Sequence, residues 1–312
     1  SIALWRVKTV TPTITAMRLA LVAFLITLLL GLLLASGFLG TVGFGHIAQL
    51  VNIHLGWGVL GWIGLLLVGL SYQVVPMFQV TPEYPALMRR YLAPGLFVML
   101  IVWSLLMLAA ALDWLNAVLP LLAMLLLIPG FIYYAVVTLQ LQLQRKRRVP
   151  DMTMQFWRIG MLAILLSAVL WGAGMSSTLL SNSPQYSLLL GVVLIVGAGL
   201  SVVNGMLYKI VPFLSWFHLQ NRQLSLMCMT VQVPNMKEFI TDKAARLQYK
   251  AHLAALLMLL AAALKPEWFA HLAGILFAFS NILLVKNLFM AMKKYRQVNQ
   301  ALLAYAVDSK AE

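Results

Sequence analysis

Charge is scarce in this chain, and negative charge is scarcer. Only 10% of its 312 residues are Asp, Glu, Lys or Arg, where a soluble domain carries about 25%. Glu83, Asp113, Asp151, Glu238, Asp242 and Glu267 all fall in loops or at the ends of apolar runs. None is left for the mid-membrane carboxylate relays that proton-coupled pumps commonly use. A single cysteine, Cys228, excludes an internal disulfide and any CxxC or cysteine-rich metal site, and reads as a loop thiol. There is no P-loop, no GxGxxG in a soluble setting and no Ser-His-Asp arrangement, and the 17 methionines form no Met-x-x-Met ladder.

What the chain has instead is oil. It is 62% hydrophobic, in runs longer than the ~20 residues that cross a bilayer. The fold class is therefore all-α, a polytopic transmembrane helical bundle. Eight spans are predicted, near Thr15–Gly40, His46–Met77, Leu92–Leu112, Asn116–Leu141, Trp157–Leu180, Gln185–Pro212, Tyr249–Leu264 and Trp268–Met290. Leu214–Gln248, the longest stretch outside the spans, reads as an interfacial connector, with Thr241 able to cap a short helix from Asp242. The chain starts at Ser1, so helices of a longer product could precede it. Arg6, Lys8 and Arg18 stand before an apolar run too long for a cleavable signal.

The net charge of +14 follows the positive-inside rule and gives no reason to invoke nucleic acid. Basic residues cluster in the N-terminal segment, at Arg89 and Arg90, over Arg145–Arg148, between Arg222 and Lys250, and at Lys293, Lys294 and Arg296. The alternate loops carry almost no charge. Both termini are thus predicted cytoplasmic, and the chain is expected to be a multi-pass protein of a bacterial inner membrane, with the lipid bilayer as its first partner.

A repeat is also legible. Gly61, Gly69, Tyr72, Val75 and Pro76 recur 136 residues later as Gly197, Gly205, Tyr208, Val211 and Pro212. This predicts two parallel four-helix units, residues 1–148 and 149–312, the second containing the cytoplasmic loop 214–248. Parallel repeats occur in several transporter classes, so they name no function.

The five histidines carry the chemical question. His54 is predicted about 12 Å inside the outer end of the second span at 1.5 Å per residue, and an ionisable side chain at that depth is a functional-site hypothesis by default. At about 100° per residue, Gly61 and Tyr72 share its face and Gly58 lies close by. Such a glycine strip either admits another helix or leaves space for a flat ligand, and Trp57 could line either. His46 is predicted at the membrane surface, and His271 opens the eighth span on the same outer side. His252 and His218 are predicted at the cytoplasmic side, interfacial in character. Three readings of His54 stay open: an axial haem ligand, a copper or zinc site with His46 and His271, or a hydrogen bond to a backbone carbonyl or polar side chain.

His54-Leu55-Gly56-Trp57, the glycine-spaced run and Tyr72-Gln-Val-Val-Pro76 resemble the second-helix region of haem–copper oxidase subunit I. The resemblance is closer to its non-oxidase relatives, the NnrS-like membrane proteins linked to nitric oxide stress. It implies parallel four-helix units and a b-type haem near the outer face, held by histidines on two even-numbered helices. Those positions correspond here to His54 and His271, with His46 a less favoured second ligand. The resemblance reaches those positions only; by helical spacing Trp57, Gly58, Gly61 and Tyr72 would surround the cofactor, and copper belongs to the reading with three imidazoles. There is no His-His pair for a copper centre and no His-x-His for two haems on one helix, so terminal oxidase activity is unsupported. The expected roles are electron transfer, nitric oxide or gas response, or haem handling, with a respiratory-chain partner or a second copy of the chain. The rivals are a metal-free transporter or channel and an assembly subunit of an oxidase.

Overall fold

The computed structural model describes Leu4, Arg6 and residues 9–38, 47–116, 118–146, 151–228 and 230–311. Among these residues there is no strand. Eight helices are long and apolar enough to cross a membrane: α1 Pro12–Phe38, α2 Ile47–Gln79, α3 Ala86–Ala111, α4 Val118–Leu143, α5 Met152–Ser176, α6 Pro184–Ser225, α7 Asp242–Leu264 and α8 Pro266–Ala311. The chain is a multi-pass membrane protein of all-α class. Its backbone divides into two compact units. The first comprises Ser1–Arg148 with Ile164–Val169, and the second Val149–Ala163 with Leu170–Glu312.

The helix ends follow local chemistry. Asp151 accepts a hydrogen bond from Met154 N at 3.0 Å and starts α5. Ser183 followed by Pro184 starts α6, because proline at the first helical position gives up only a donor that would be unpaired anyway. Thr241 accepts from Ala244 N and starts α7. The left-handed backbone of Val80, φ 56°, ends α2.

The repeat acquires local detail. In α2 the backbone widens into π-helical turns over Trp57–Gly64, and in α6 over Val192–Leu200. Shifted by 136 residues, the first segment falls on 193–200. The glycines repeat their partners as well. A methyl on Gly61 would meet Ala23 Cβ at 3.1 Å, and on Gly197 Ala163 Cβ at 2.9 Å; one on Gly69 would meet Ala16 Cβ at 2.5 Å, and on Gly205 Phe156 Cβ at 2.8 Å. Each unit thus presses its first helix against its second at these glycines, because only a missing side chain lets the neighbouring helix approach so closely.

Three boundaries differ from the sequence expectation. The stretch 214–248 is not a connector throughout: α6 runs on to Ser225 and α7 begins at Asp242. Between them lies a turn, Met236–Phe239, closed by a capping box of Asn235 and Glu238. The helix capped by Thr241 is a full span and not a short one. Likewise α8 continues past Met290 to Ala311. Ala291, Tyr295, Val298, Leu302 and Tyr305 form one stripe of that extension and pack with Leu219, Cys228 and Phe239 into a small core. The expectation stopped where the apolar run stopped, but a 4-3-4-3 stripe still dictates helix where the opposite face is polar.

Candidate functional site

In the first unit, His54 faces α1. Its Nδ1 lies 3.1 Å from the backbone oxygen of Thr27. A carbonyl only accepts, so Nδ1 carries the proton, and Nε2 is the nitrogen left to offer a lone pair in the neutral ring. Thr27 O lies in the α1 interior, where Thr27 Oγ1 is turned back to Ala23 O at 2.8 Å. Gly31 supplies the space beside the ring, since a methyl there would lie 3.2 Å from His54 Cε1. The imidazole is therefore held in one orientation and tautomer, and is half-buried.

The glycine strip is not an open slot. A methyl on Gly58 would meet Thr27 Cγ2 at 3.3 Å, and Gly61 and Gly69 are covered by Ala23 and Ala16. Ala16, Ala20 and Ala23 are buried, which makes α1 the occupant of the strip. Of the two readings the sequence allows for these glycines, helix packing is the one observed; Gly58 and Gly61 offer no slot for a porphyrin. Trp57 also points elsewhere, its Nε1 donating to Ser104 Oγ of α3 at 2.9 Å. Tyr72 leaves the His54 face altogether and donates to Met88 O at 3.2 Å. The reason is the π segment between them: wider turns rotate each residue by less than 100°, so a face projected from ideal α geometry drifts. The residues that fit a haem or metal are thus reduced, in this unit, to His54 with Nε2 as the donor atom.

His46 lies outside the described residues. His271 is exposed on α8 and belongs to the second unit. His218, in the α6 extension, has Nδ1 2.6 Å from Tyr295 Oη on α8. Among the described residues, no three His, Cys, Asp or Glu side chains are grouped to hold a metal ion.

The deepest imidazole in the second unit is one the sequence placed at the interface. Because α7 starts at Asp242, His252 lies ten residues inside it and is 1% exposed. Its Nε2 is 2.8 Å from Ser201 Oγ of α6, and its ring lies 5.5 Å from that of Phe156. One turn towards the basic end, Gln248 Nε2 donates to Ser280 Oγ of α8 at 3.3 Å. Further on, Asn287 Nδ2 of α8 donates to Tyr208 Oη at 2.9 Å and to Ala244 O at 3.3 Å. Three helices thus share a buried polar seam: Ser201, Asn204 and Tyr208 on α6, Gln248 and His252 on α7, Ser280 and Asn287 on α8. Helical spacing was the available signal, because 201/204/208 and 248/252 are polar positions on single faces of otherwise apolar helices.

The first unit has its own buried polar group. Tyr84, between α2 and α3, pairs with Thr138 Oγ1 at 2.9 Å, while Thr138 donates to Tyr134 O at 2.7 Å. Tyr84 must then be the donor. Burial pushes its phenol up to about 12.

No family model, curated protein or solved structure matches this chain.

Proposed function

We propose that this chain is an integral membrane haem-binding protein in which His54 Nε2 is one axial ligand of a b-type haem. The observation that carries the reading is the contact of Nδ1 with Thr27 O at 3.1 Å. Histidines that ligate metals almost always tie their other ring N–H to a carbonyl or carboxylate, which fixes the tautomer and aims the free nitrogen. A histidine that needed only hydrogen-bond satisfaction would stop at the same contact, so the reading also draws on the resemblance carried by His54-Leu55-Gly56-Trp57. The resemblance implies His271 as the second ligand, with His46 as the less favoured choice, and copper is the alternative metal. Bound haem would supply one-electron chemistry or a gas-binding iron. The protein's part is to hold the imidazole oriented through Thr27 O. Electron transfer, nitric oxide response and haem handling share that requirement.

Purified protein is expected to show a Soret band and a reduced α band. His54→Ala should lose both, while His218→Ala, changed in a pair outside the apolar core, should retain them. His271→Ala should shift the spectrum from a low-spin to a high-spin form. Absence of any haem band in the unaltered protein overturns the reading.

A second reading, a metal-free transporter or channel, is favoured by the closed glycine strip of α2 and by the uncharged polar seam of the second unit. Solute movement in vesicles by protein free of metal and haem would select it.

A further inference from the structure

The second unit buries polar atoms that no described residue satisfies. Asn204 is 1% exposed, and neither its Nδ2 nor its Oδ1 has a partner. Gln248 Oε1 and Trp157 Nε1 are likewise unpaired, in side chains with 0% exposure. These atoms share one level of the unit. The contact of Ser201 with His252 and the bridge from Tyr208 through Asn287 to Ala244 fix how α6 lies against α7. Asn204 falls between the first pair and the second on α6, and Gln248 between them on α7. Trp157 joins at the same height, its Cδ1 lying 3.4 Å from where a Gly205 methyl would be.

The kinds of atom narrow the ligand. Trp157 Nε1 and Asn204 Nδ2 donate; Asn204 Oδ1 and Gln248 Oε1 accept. An anion would call for donors only, and a metal cation for acceptors only. Two of each suit a neutral molecule that both gives and takes hydrogen bonds. Among the described residues no Lys, Arg, Asp or Glu lies in the seam; the ion pair of Lys209 with Asp151, at 3.3 Å, stands at its end.

A cavity lies next to the end of the seam. A cavity of 430 Å³ at the basic end is lined by Glu238, Thr241, Ala244, Asn287 and Lys294 among others. Asn287 belongs to both, since it lines the cavity and bonds Tyr208 at the foot of the seam. We propose that the second unit holds a hydrated site at Trp157, Asn204 and Gln248, entered past Asn287, that takes water or neutral hydrogen-bonding molecules of similar size. Buried waters characteristically satisfy two to four polar groups left unpaired by the protein. The proposal is independent of the haem reading, since it concerns neither His54 nor His271.

The single native thiol makes the site testable. In a Cys228→Ser background, Asn287→Cys and Asn204→Cys are treated in proteoliposomes with methyl methanethiosulfonate, a small neutral reagent, beside Ile282→Cys, which is 63% exposed on α8. Only a hydrated thiol ionises and reacts readily, so both seam positions should be modified at least about tenfold faster than the control. Equal, slow labelling of Asn204→Cys and Ile282→Cys overturns the proposal. The unaltered chain gives a second readout. Hydroxyl radicals generated by radiolysis from bound water should oxidise Trp157 several-fold more than Trp57, which is also buried but bonded to Ser104. Equal oxidation of the two tryptophans overturns the proposal irrespective of how the cysteine variants fold.

Discussion

At the scale of single residues, a polar side chain in an apolar helix is defined by its partner. From sequence His54 has no partner within its own helix and a backbone carbonyl elsewhere is one of its three readings; the structure supplies Thr27 O from another helix. Tyr84 shows the same dependence at a loop: its phenol is 1% exposed and bonded to Thr138, on a helix more than fifty residues away. Burial raises the Tyr84 phenol to about 12, against 10.0 when exposed. Its contribution to stability is therefore complete below pH 10 and is lost as pH rises from 10 towards 12, where the unfolded phenol ionises first. Tyr84→Phe should cost about 0.5–1.5 kcal/mol at neutral pH through the lost hydrogen bond, and should flatten that alkaline loss, as unfolding in detergent across pH 8–12 would read.

At the scale of elements, the glycines of α2 and α6 work as contact surfaces. The strip that sequence alone left open between a ligand slot and a helix seam is a seam in both units, with Ala16 and Ala23 in one and Phe156 and Ala163 in the other. Gly69→Ala would set a methyl 2.5 Å from Ala16 Cβ, and overpacking of this kind costs about 1–3 kcal/mol. Gly95→Ala on α3 has nothing within 4 Å and should be neutral or better. Thermal unfolding of the two variants is expected to separate them. The π turns explain the loss of Tyr72 from the His54 face: the glycine spacing was legible, but the altered pitch between Trp57 and Gly64 was not.

At the scale of the whole molecule, the α6 and α8 extensions add a small core beyond the apolar spans, built from Leu219, Phe239, Ala291 and Leu302. Leu302→Asp should open it. Limited trypsin digestion should then cut faster at Arg222 and Lys237 while the spans stay protected. The sequence by itself determined the all-α class, the eight spans, and the two-fold recurrence of glycine, tyrosine and proline. These depend on hydropathy and periodicity, which are properties of a segment and its solvent. Tertiary structure alone decided that α1 fills the glycine strip, that His54 is bonded through Nδ1, that His252 and not His218 is buried, and that Asn204, Gln248 and Trp157 lie at one level of the second unit. Those facts depend on which residue of a distant helix stands opposite. That register is set by close packing between helices, and no single segment encodes it.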